Sequence, residues 1–398
     1  MSSETPLHPR TEILCKSRAW RQWSGFSVAS SYSDFAQPEY AAIRHAAALI
    51  DVSPLFKYRV SGPDAELLTN RVFTQDTAKM KTGQIVYTPW CDPDGSVRQE
   101  GTVFRLADDA YQVCSVEPTL GWMERNAVGL DVSISDHSTD TAVLALQGPT
   151  SRDILVQVAS AEVANLKFFH WMDSSINGIP VMISRTGYTG DLGYEVWIRS
   201  ADAVRVWDVL MEGGRAHNIT PCGLEAMDIA RVEAGFVLLN VDYESSESAL
   251  LPHHRMSPYE LGFGWAVKLS KDVNFVGRQA LIEAKRNNSA ERKLIGLMID
   301  WPELEELYLS AGVMPDLPLV PCRDPVPIYN QSGKQIGRAT TRVWSTMLKK
   351  YLALATVEAK YAAKGSKLLM EQTVDYERKT VEAMVCKMPF FRPDRMRA

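Results

Sequence analysis

Residues 185–195 have the residue types and spacing that could bind a polar ligand. They read R-T-G-Y-T-G-D-L-G-Y-E, with Gly187, Gly190 and Gly193 at every third position. Three glycines in seven residues exclude a helix, because each costs about 1 kcal/mol relative to alanine. Glu195 ends the stretch where an alternating segment begins, so a strand would hold its carboxylate beside an open loop. An ordinary long hairpin loop is the alternative, and both interpretations stay open at this point.

The elements around this glycine loop follow from the flanking patterns. Residues 179–184 form an apolar β-type run and residues 194–198 alternate, so the loop is expected to join two strands. Glycine there permits positive φ and lets another group approach the backbone closely. Residues 39–49 are rich in alanine and predict a helix, whereas residues 266–269 predict a strand directly after Trp265.

The order of elements predicts the α+β class. Strands follow helices in an order that does not suggest a doubly wound sheet. Beyond residue 294, short apolar runs alternate with turns, which is typical of a small β-barrel. We therefore expect three domains: an N-terminal α+β domain, a second α+β domain with the glycine loop, and a C-terminal barrel. Their predicted ranges are 1–140 (completed by part of 230–285), 141–290 and 291–398.

Composition excludes several classes of protein. The 398 residues carry a formal net charge of -5, which does not suggest a nucleic-acid partner. No apolar run reaches the roughly 18 residues that span a bilayer, and residues 1–10 are too polar for a signal peptide. The six cysteines are scattered without a C-x-x-C pair, so we expect free thiols, no metal site and a cytoplasmic protein. The oligomeric state stays open.

Five stretches occur in order along the chain: residues 51–53, 146–149, 185–195, 223–235 followed by Asp242, and 275–281. Together they resemble the aminomethyltransferase family, whose founding member is the T-protein of glycine cleavage. The resemblance runs from about residue 51 to residue 357. It implies a three-domain cloverleaf around a central channel that holds tetrahydrofolate, with residues 1–140 as the folate-binding domain. It also implies transfer of one-carbon groups onto folate without a metal.

The resemblance also implies a set of cofactor-binding residues. The family's carboxylate near the folate ring nitrogens falls on Glu100, where relatives usually carry aspartate, and its folate-binding glutamate falls on Glu195. Tyr87 and Trp265 match an aromatic pair, and Arg231 is retained. A pterin ring presents an amide and amino edge, which carboxylates would bind through charge-assisted hydrogen bonds of about 1.5–3 kcal/mol each. The two aromatic side chains offer flat apolar contact.

Departures from the T-protein pattern bear on the substrate. Met227 stands where that pattern carries arginine, Pro54 and Leu55 replace histidine and methionine, and Leu239-Asn240 replaces a tyrosine-glycine pair. Because these positions line the T-protein's channel, the replacements count against an aminomethyl-lipoyl protein as the substrate. Members of the folate-dependent demethylase branch strip methyl groups from methoxy-aromatic acids or sulfonium compounds. The segments that resemble this branch are residues 53–58, 87–90 and 257–262.

The sequence thus favours a tetrahydrofolate-dependent methyltransferase that acts as a demethylase on a small methoxy-aromatic, sulfonium or methylamine donor. An ether oxygen leaves poorly as an anion, so an acid should stand beside it. Tyr243, His253 and His254 are the candidate catalytic residues for that step. Glu100 is the fourth candidate catalytic residue and would orient or polarise folate N5. The alternatives are the glycine cleavage aminomethyltransferase itself and a folate-binding relative without transfer activity.

Overall fold

The computed structural model describes residues 2–397, and no helix in that range is long and apolar enough to cross a membrane. The helices are His8–Leu14 (α1), Gln37–His45 (α2), Ala65–Val72 (α3), Leu120–Ala127 (α4), Ser151–Val158 (α5), Ala203–Gly213 (α6), Leu224–Glu233 (α7), Arg278–Asn287 (α8) and Trp301–Ser310 (α9). The strands are Ser3–Glu4 (β1), Ala19–Trp23 (β2), Phe26–Ser31 (β3), Ala47–Asp51 (β4), Phe56–Ser61 (β5), Ile85–Cys91 (β6), Val97–Ala107 (β7), Ala110–Ser115 (β8), Ser133–Asp136 (β9), Thr141–Gln147 (β10), Trp171–Ile176 (β11), Ile179–Ser184 (β12), Gly193–Arg199 (β13), Ile219–Pro221 (β14), Arg292–Ile299 (β15), Val326–Tyr329 (β16), Gln335–Ser345 (β17), Lys350–Glu358 (β18), Lys367–Val374 (β19) and Glu377–Cys386 (β20).

These strands form three open sheets and one closed barrel within the described residues. The open sheets have the orders β1-β3-β2, β6-β7-β8-β5-β9 and β11-β12-β13-β10-β4-β14. The barrel has the order β15-β18-β17-β16-β19-β20 and closes because β15 pairs with both β18 and β20. The predicted α+β class and the predicted C-terminal barrel are therefore confirmed.

Strand β4 differs from the sequence-based expectation. The helix predicted for residues 39–49 ends at His45, and Ala47–Asp51 is a fully buried strand. It pairs antiparallel with β10 and parallel with β14, so partners on both sides satisfy its backbone groups. This pairing outweighs the helix preference of alanine. The pairing also brings β4 into the sheet that carries the glycine loop. The domain boundaries at residues 140 and 290 stay a prediction.

One buried cluster joins the six-stranded sheet, two helices and the barrel. Val143 and Trp197 come from the sheet, Ile43 from α2, Ile229 from α7 and Leu354 from the barrel. Burying one large apolar side chain contributes roughly 1.5–3 kcal/mol. This shared core holds α7 and the barrel against the sheet that carries the glycine loop.

Candidate functional site

Glu100 is a buried carboxyl group with an unpaired oxygen. It lies on β7, after a tight turn in which Gly95 adopts a φ of +84°. The side chain is 7% exposed, and its Oε2 has no hydrogen-bond partner within residues 2–397. Burial raises the pKa of Glu100 to about 8, and the charge of Asp242 adds to this effect. Because an unpaired buried acceptor costs about 1–3 kcal/mol, this geometry indicates a group held for a ligand.

An aromatic wall stands beside Glu100. The ring of Tyr87, on β6, is stacked 6.2 Å from that of Trp265 at an interplanar angle of 20°, and Phe263 meets Tyr87 edge-on at 5.6 Å. Trp265 is 59% exposed. It lies on a 3-10 turn, Gly264–Ala266, and the strand predicted for residues 266–269 is not formed. The wall therefore presents flat ring surface with one face open.

Tyr188 connects the glycine loop to the surroundings of Glu100. Its hydroxyl donates a hydrogen bond to the Val237 carbonyl, and its ring stacks on Phe236 at 5.6 Å. Burial raises the pKa of Tyr188, and the nearby Glu100 and Asp242 charges act in the same direction. Although its place within the glycine loop could have drawn attention to it, sequence reasoning did not single out Tyr188 as a site residue.

Tyr87, Tyr188 and Glu195 are half-buried side chains of the β6–β7 hairpin, the glycine loop and the start of β13. Each keeps part of its surface accessible. Yet burial is the main cause that raises the pKa of each of these groups. The Glu100 charge also raises the pKa of both Tyr87 and Tyr188, so Glu100 lies close to both hydroxyls. The space between the β6–β7 hairpin and the glycine loop, here called the cleft, is therefore the candidate site.

The glycine loop joins β12 to β13 as predicted, and the group that closely approaches two of its glycines is a side chain of the protein itself. A Cβ atom on Gly187 or Gly193 would lie 2.1 or 2.2 Å from Oε1 of Gln147. The Gln147 amide donates to the carbonyls of Thr186 and Tyr194, both at 3.2 Å. These two glycines therefore make room for the protein's own Gln147 side chain.

Alanine at Gly187 or Gly193 should destabilise the protein. The added methyl group would displace the Gln147 amide, and such overpacking lowers the free energy of unfolding by about 1–3 kcal/mol. Urea denaturation measures this change. Gly121→Ala is the matched control, because Gly121 lies in α4 with no atom within 4 Å of the added Cβ. Equal stability of the control and loop variants would contradict the role assigned to Gln147.

Glu195 occupies the start of β13, where the sequence placed it. The Thr186 hydroxyl donates to its Oε2 at 2.6 Å and the Ser184 hydroxyl at 3.5 Å. Burial raises the pKa of Glu195, and these two hydrogen bonds oppose that rise. Within residues 2–397 both bonds reach Oε2, so Oε1 is free to accept a hydrogen bond from a ligand.

Residues 387–397, here called the strap, anchor the glycine loop from behind. Arg395 donates from Nε and Nη2 to the two carboxylate oxygens of Asp191 at 2.6 and 2.9 Å. The Asp191 side chain is fully buried and also accepts from Arg44 of α2 at 3.2 Å. Arg44 in turn binds Glu233, at the end of α7, at 2.7 Å. The strap thus ties the loop to two helices.

Arg231, predicted to bind the cofactor, lies in a buried ion-pair network. Its Nε donates to Asp228 at 2.6 Å, and Nη1 donates to Asp242 and to the Phe236 carbonyl. Nη2 donates to the Thr341 hydroxyl at 3.1 Å. Because all three nitrogens bond to protein atoms, Arg231 braces α7 against the barrel, and its contact with a cofactor stays a prediction.

The structure does not bring the predicted acid candidates into contact with Glu100. His254 Nδ1 lies 3.0 Å from the Glu244 carboxylate, and His253 is exposed. Tyr243 is buried at 2% exposure, and its hydroxyl has no partner within the described residues. Sequence proximity placed the histidines near the motifs, whereas the fold turns them towards the barrel. The other residues of the open groove that His253 lines are Glu291, Arg292, Glu358, Ala359 and Lys360.

No group of His, Cys, Asp or Glu side chains within residues 2–397 could hold a metal ion. The six cysteines are free, and four of them are buried.

Comparison with known proteins gives consistent matches along the chain. The family model of the GCVT N-terminal domain matches residues 14–271. The family model of the glycine cleavage T-protein C-terminal barrel domain matches residues 311–392. A relative from Alkaliphilus metalliredigens named Aminomethyltransferase is 32% identical, over 89% of this chain and 89% of its own. A Bacillus subtilis protein of the same name is 32% identical, over 93% and 94%.

A solved structure shares the fold. It is the glycine cleavage system aminomethyltransferase T from Bartonella henselae, with a TM-score of 0.82 at 21% identity. The match covers 98% of each chain. Similarity therefore extends over the sheets, the glycine loop and the barrel together.

Proposed function

Because the chain belongs to the glycine cleavage T-protein, or aminomethyltransferase, family, we propose that it transfers a one-carbon unit to tetrahydrofolate. The single observation that supports this most strongly is Glu100, whose buried Oε2 lacks a partner within residues 2–397. It borders the same cleft as Tyr87, Tyr188 and Glu195. The cleft supplies carboxylates and ring surface, the two features that a pterin requires.

The residues of the cleft suit tetrahydrofolate. Its ring edge carries amide and amino N–H groups, which match the unpaired Oε2 of Glu100 and the free Oε1 of Glu195. The rings of Tyr87 and Trp265 would cover a face of the folate. When bound, tetrahydrofolate supplies the nucleophilic N5 that accepts the carbon.

Residues of the chain bind the ring, hold a proton and exclude water. Glu195 binds the ring edge and fixes its orientation, since β13 and two hydroxyl donors hold its carboxylate. Glu100 would hold or release a proton at its carboxyl group beside the ring, because a carboxyl group of pKa about 8 changes charge near neutral pH. The aromatic wall would exclude water from the face of a ring that it covers. Positioning of this kind supplies much of the rate of a direct displacement.

Two donor classes follow from different observations. The name Aminomethyltransferase of the relatives favours an aminomethyl group on a carrier protein. The second candidate is demethylation of a small methyl donor. It is favoured by the side chain of Met227, which is half-buried and apolar where the T-protein pattern has arginine, and by the equally half-buried Leu55.

Product analysis separates the two donor classes. The protein is incubated with tetrahydrofolate and one donor at a time, and folate products are identified by mass spectrometry. An aminomethyl-lipoyl carrier should yield methylenetetrahydrofolate and ammonia, whereas methoxy-aromatic acids, sulfonium compounds or methylamines should yield 5-methyltetrahydrofolate. Glu100→Gln is the matched control. Tight folate binding without any product would support the non-catalytic alternative, and absence of both binding and product would overturn the proposed function.

A further inference from the structure

Arg21 and Arg323 form a pair of guanidinium groups beside the first turns of α7. Arg21 lies on β2 and pairs with Val28 of β3, so its side chain shares a face with Ser30. This face packs on the start of α7, where the Ser30 hydroxyl donates to Glu225 at 3.3 Å. Arg323 approaches the same helix from the segment before β16.

The two arginines differ in the hydrogen bonds that they make within the protein. Arg323 donates from Nε to Oδ2 of Asp228 at 2.8 Å, and its Nη2 lies 2.7 Å from the same oxygen in an ion pair. The acid nearest to Arg21 is Glu225 at 3.9 Å, which is beyond hydrogen-bond distance. Within residues 2–397 the guanidinium of Arg21 has no hydrogen bond, and its Nη1 is buried. A guanidinium carries five donors, so a buried one without partners is expensive to maintain.

The environment of Arg21 favours an added negative charge. Burial lowers the pKa of Arg21, and the positive charge of Arg323 lowers it further. About a third of the side chain is exposed, so a ligand can reach the group. A carboxylate matches the planar fork of a guanidinium with two parallel hydrogen bonds.

The arginine pair lies one ion pair away from the cleft. Asp228 binds Arg323 through one oxygen and Arg231 through the other. The charge of Asp228 also contributes to the raised pKa of Tyr188, which lines the cleft. The Asp228 carboxylate therefore links the arginine pair to the surroundings of Tyr188.

We propose that Arg21, backed by Arg323, binds the carboxylate of a ligand whose reacting end occupies the cleft. This inference rests on the proposed function, which supplies two sources of that carboxylate. One is the glutamyl tail of tetrahydrofolate, and the other is an acid group on the one-carbon donor. Both present the same chemistry to Arg21, and binding measurements can separate them.

The test compares Arg21→Met with the wild type by isothermal titration calorimetry. Arg18→Met is the matched control, because Arg18 is an exposed arginine directly before β2. Arg21→Lys serves as a second variant that keeps the charge and removes the fork. Two pairs of ligands are used, each with and without the acid group: tetrahydrofolate against 6-methyltetrahydropterin, and 4-methoxybenzoate against anisole.

We expect Arg21→Met to weaken binding of one acid-bearing ligand about tenfold or more, as loss of a charge-assisted bidentate contact requires. Its analogue without the acid should lose less than twofold. A selective loss for tetrahydrofolate identifies the glutamyl tail, and a selective loss for 4-methoxybenzoate identifies the donor. Arg21→Lys should fall between the wild type and Arg21→Met.

Equal losses for both members of each pair, or no loss at all, would overturn the carboxylate site. If the wild type binds neither tetrahydrofolate nor 6-methyltetrahydropterin, the proposed function fails instead. The comparison of 4-methoxybenzoate with anisole then still tests the site at Arg21. If the wild type does not bind 4-methoxybenzoate, the proposed carboxylate site at Arg21 is overturned.

Discussion

Glu100→Gln should remove the pH dependence of folate binding near pH 8 and slow one-carbon transfer about 100-fold or more. The rate effect follows because general acid–base groups contribute roughly 10²–10⁴-fold. Glutamine keeps the size of the side chain but can neither lose nor gain a proton. The fold should persist, since the buried carboxyl group is neutral at pH 7 when its pKa is about 8.

The sign of the pH effect follows from the raised pKa. Ring N–H donors favour the charged carboxylate, so folate binding must release the proton that Glu100 holds below about pH 8. The folate dissociation constant should therefore fall as pH rises towards 8, by up to about tenfold per pH unit. Binding titrations between pH 6 and pH 9 measure this slope, and a slope retained in Glu100→Gln would contradict the assignment.

Without ligand, the free energy of unfolding should also depend on the protonation of Glu100. Between the unfolded pKa of about 4.5 and the folded pKa of about 8, the folded protein binds the extra proton. Its contribution to stability is thus fully present below about pH 4.5 and is lost as pH rises through 8. Glu100→Gln should flatten this part of the curve of unfolding free energy against pH.

Glu195→Ala should raise the folate dissociation constant about tenfold or more. Loss of one charge-assisted hydrogen bond of about 1.5–3 kcal/mol accounts for that factor. Calorimetric or fluorescence titration with tetrahydrofolate measures the effect. Because Thr186 and Ser184 would lose their acceptor, thermal unfolding should be recorded alongside.

Two further variants make the Glu195 result specific. Glu195→Gln keeps the shape and the hydroxyl contacts, so a comparable loss of affinity would show that the charge matters. Glu124→Ala removes an exposed carboxylate of α4 and should leave the dissociation constant unchanged. Unchanged affinity in Glu195→Ala would make the glycine loop an ordinary hairpin connection.

Local sequence patterns predicted the strands around the candidate site well. Glycine spacing and alternation placed residues 185–195 between β12 and β13, with Glu195 on the outgoing strand. The resemblance assigned a cofactor-binding carboxylate to Glu100, which lies on β7, the second arm of the β6–β7 hairpin. Such features depend on backbone conformation within a few residues, which glycine, proline and alternation report directly.

Contacts between distant segments could not be predicted. The glycines at 187 and 193 gave no sign that Gln147 lies between them, because only the pairing of β10 with β13 brings it there. Alanines 46–48 likewise gave no sign of strand pairing on both sides. Arg21 and Arg323 carry no common motif and meet only because both approach α7.

The strap also sets an order of events in protein synthesis. Arg395 closes its contact with Asp191 across 204 positions of the chain, and it bonds the Arg44 carbonyl across 351. A ribosome makes the chain from its amino end at roughly 5–20 residues per second. Asp191 and Arg44 are therefore made many seconds before their last partner exists. During that interval Asp191 lacks its bond to Arg395, so the glycine loop is fully anchored only when translation has passed residue 395.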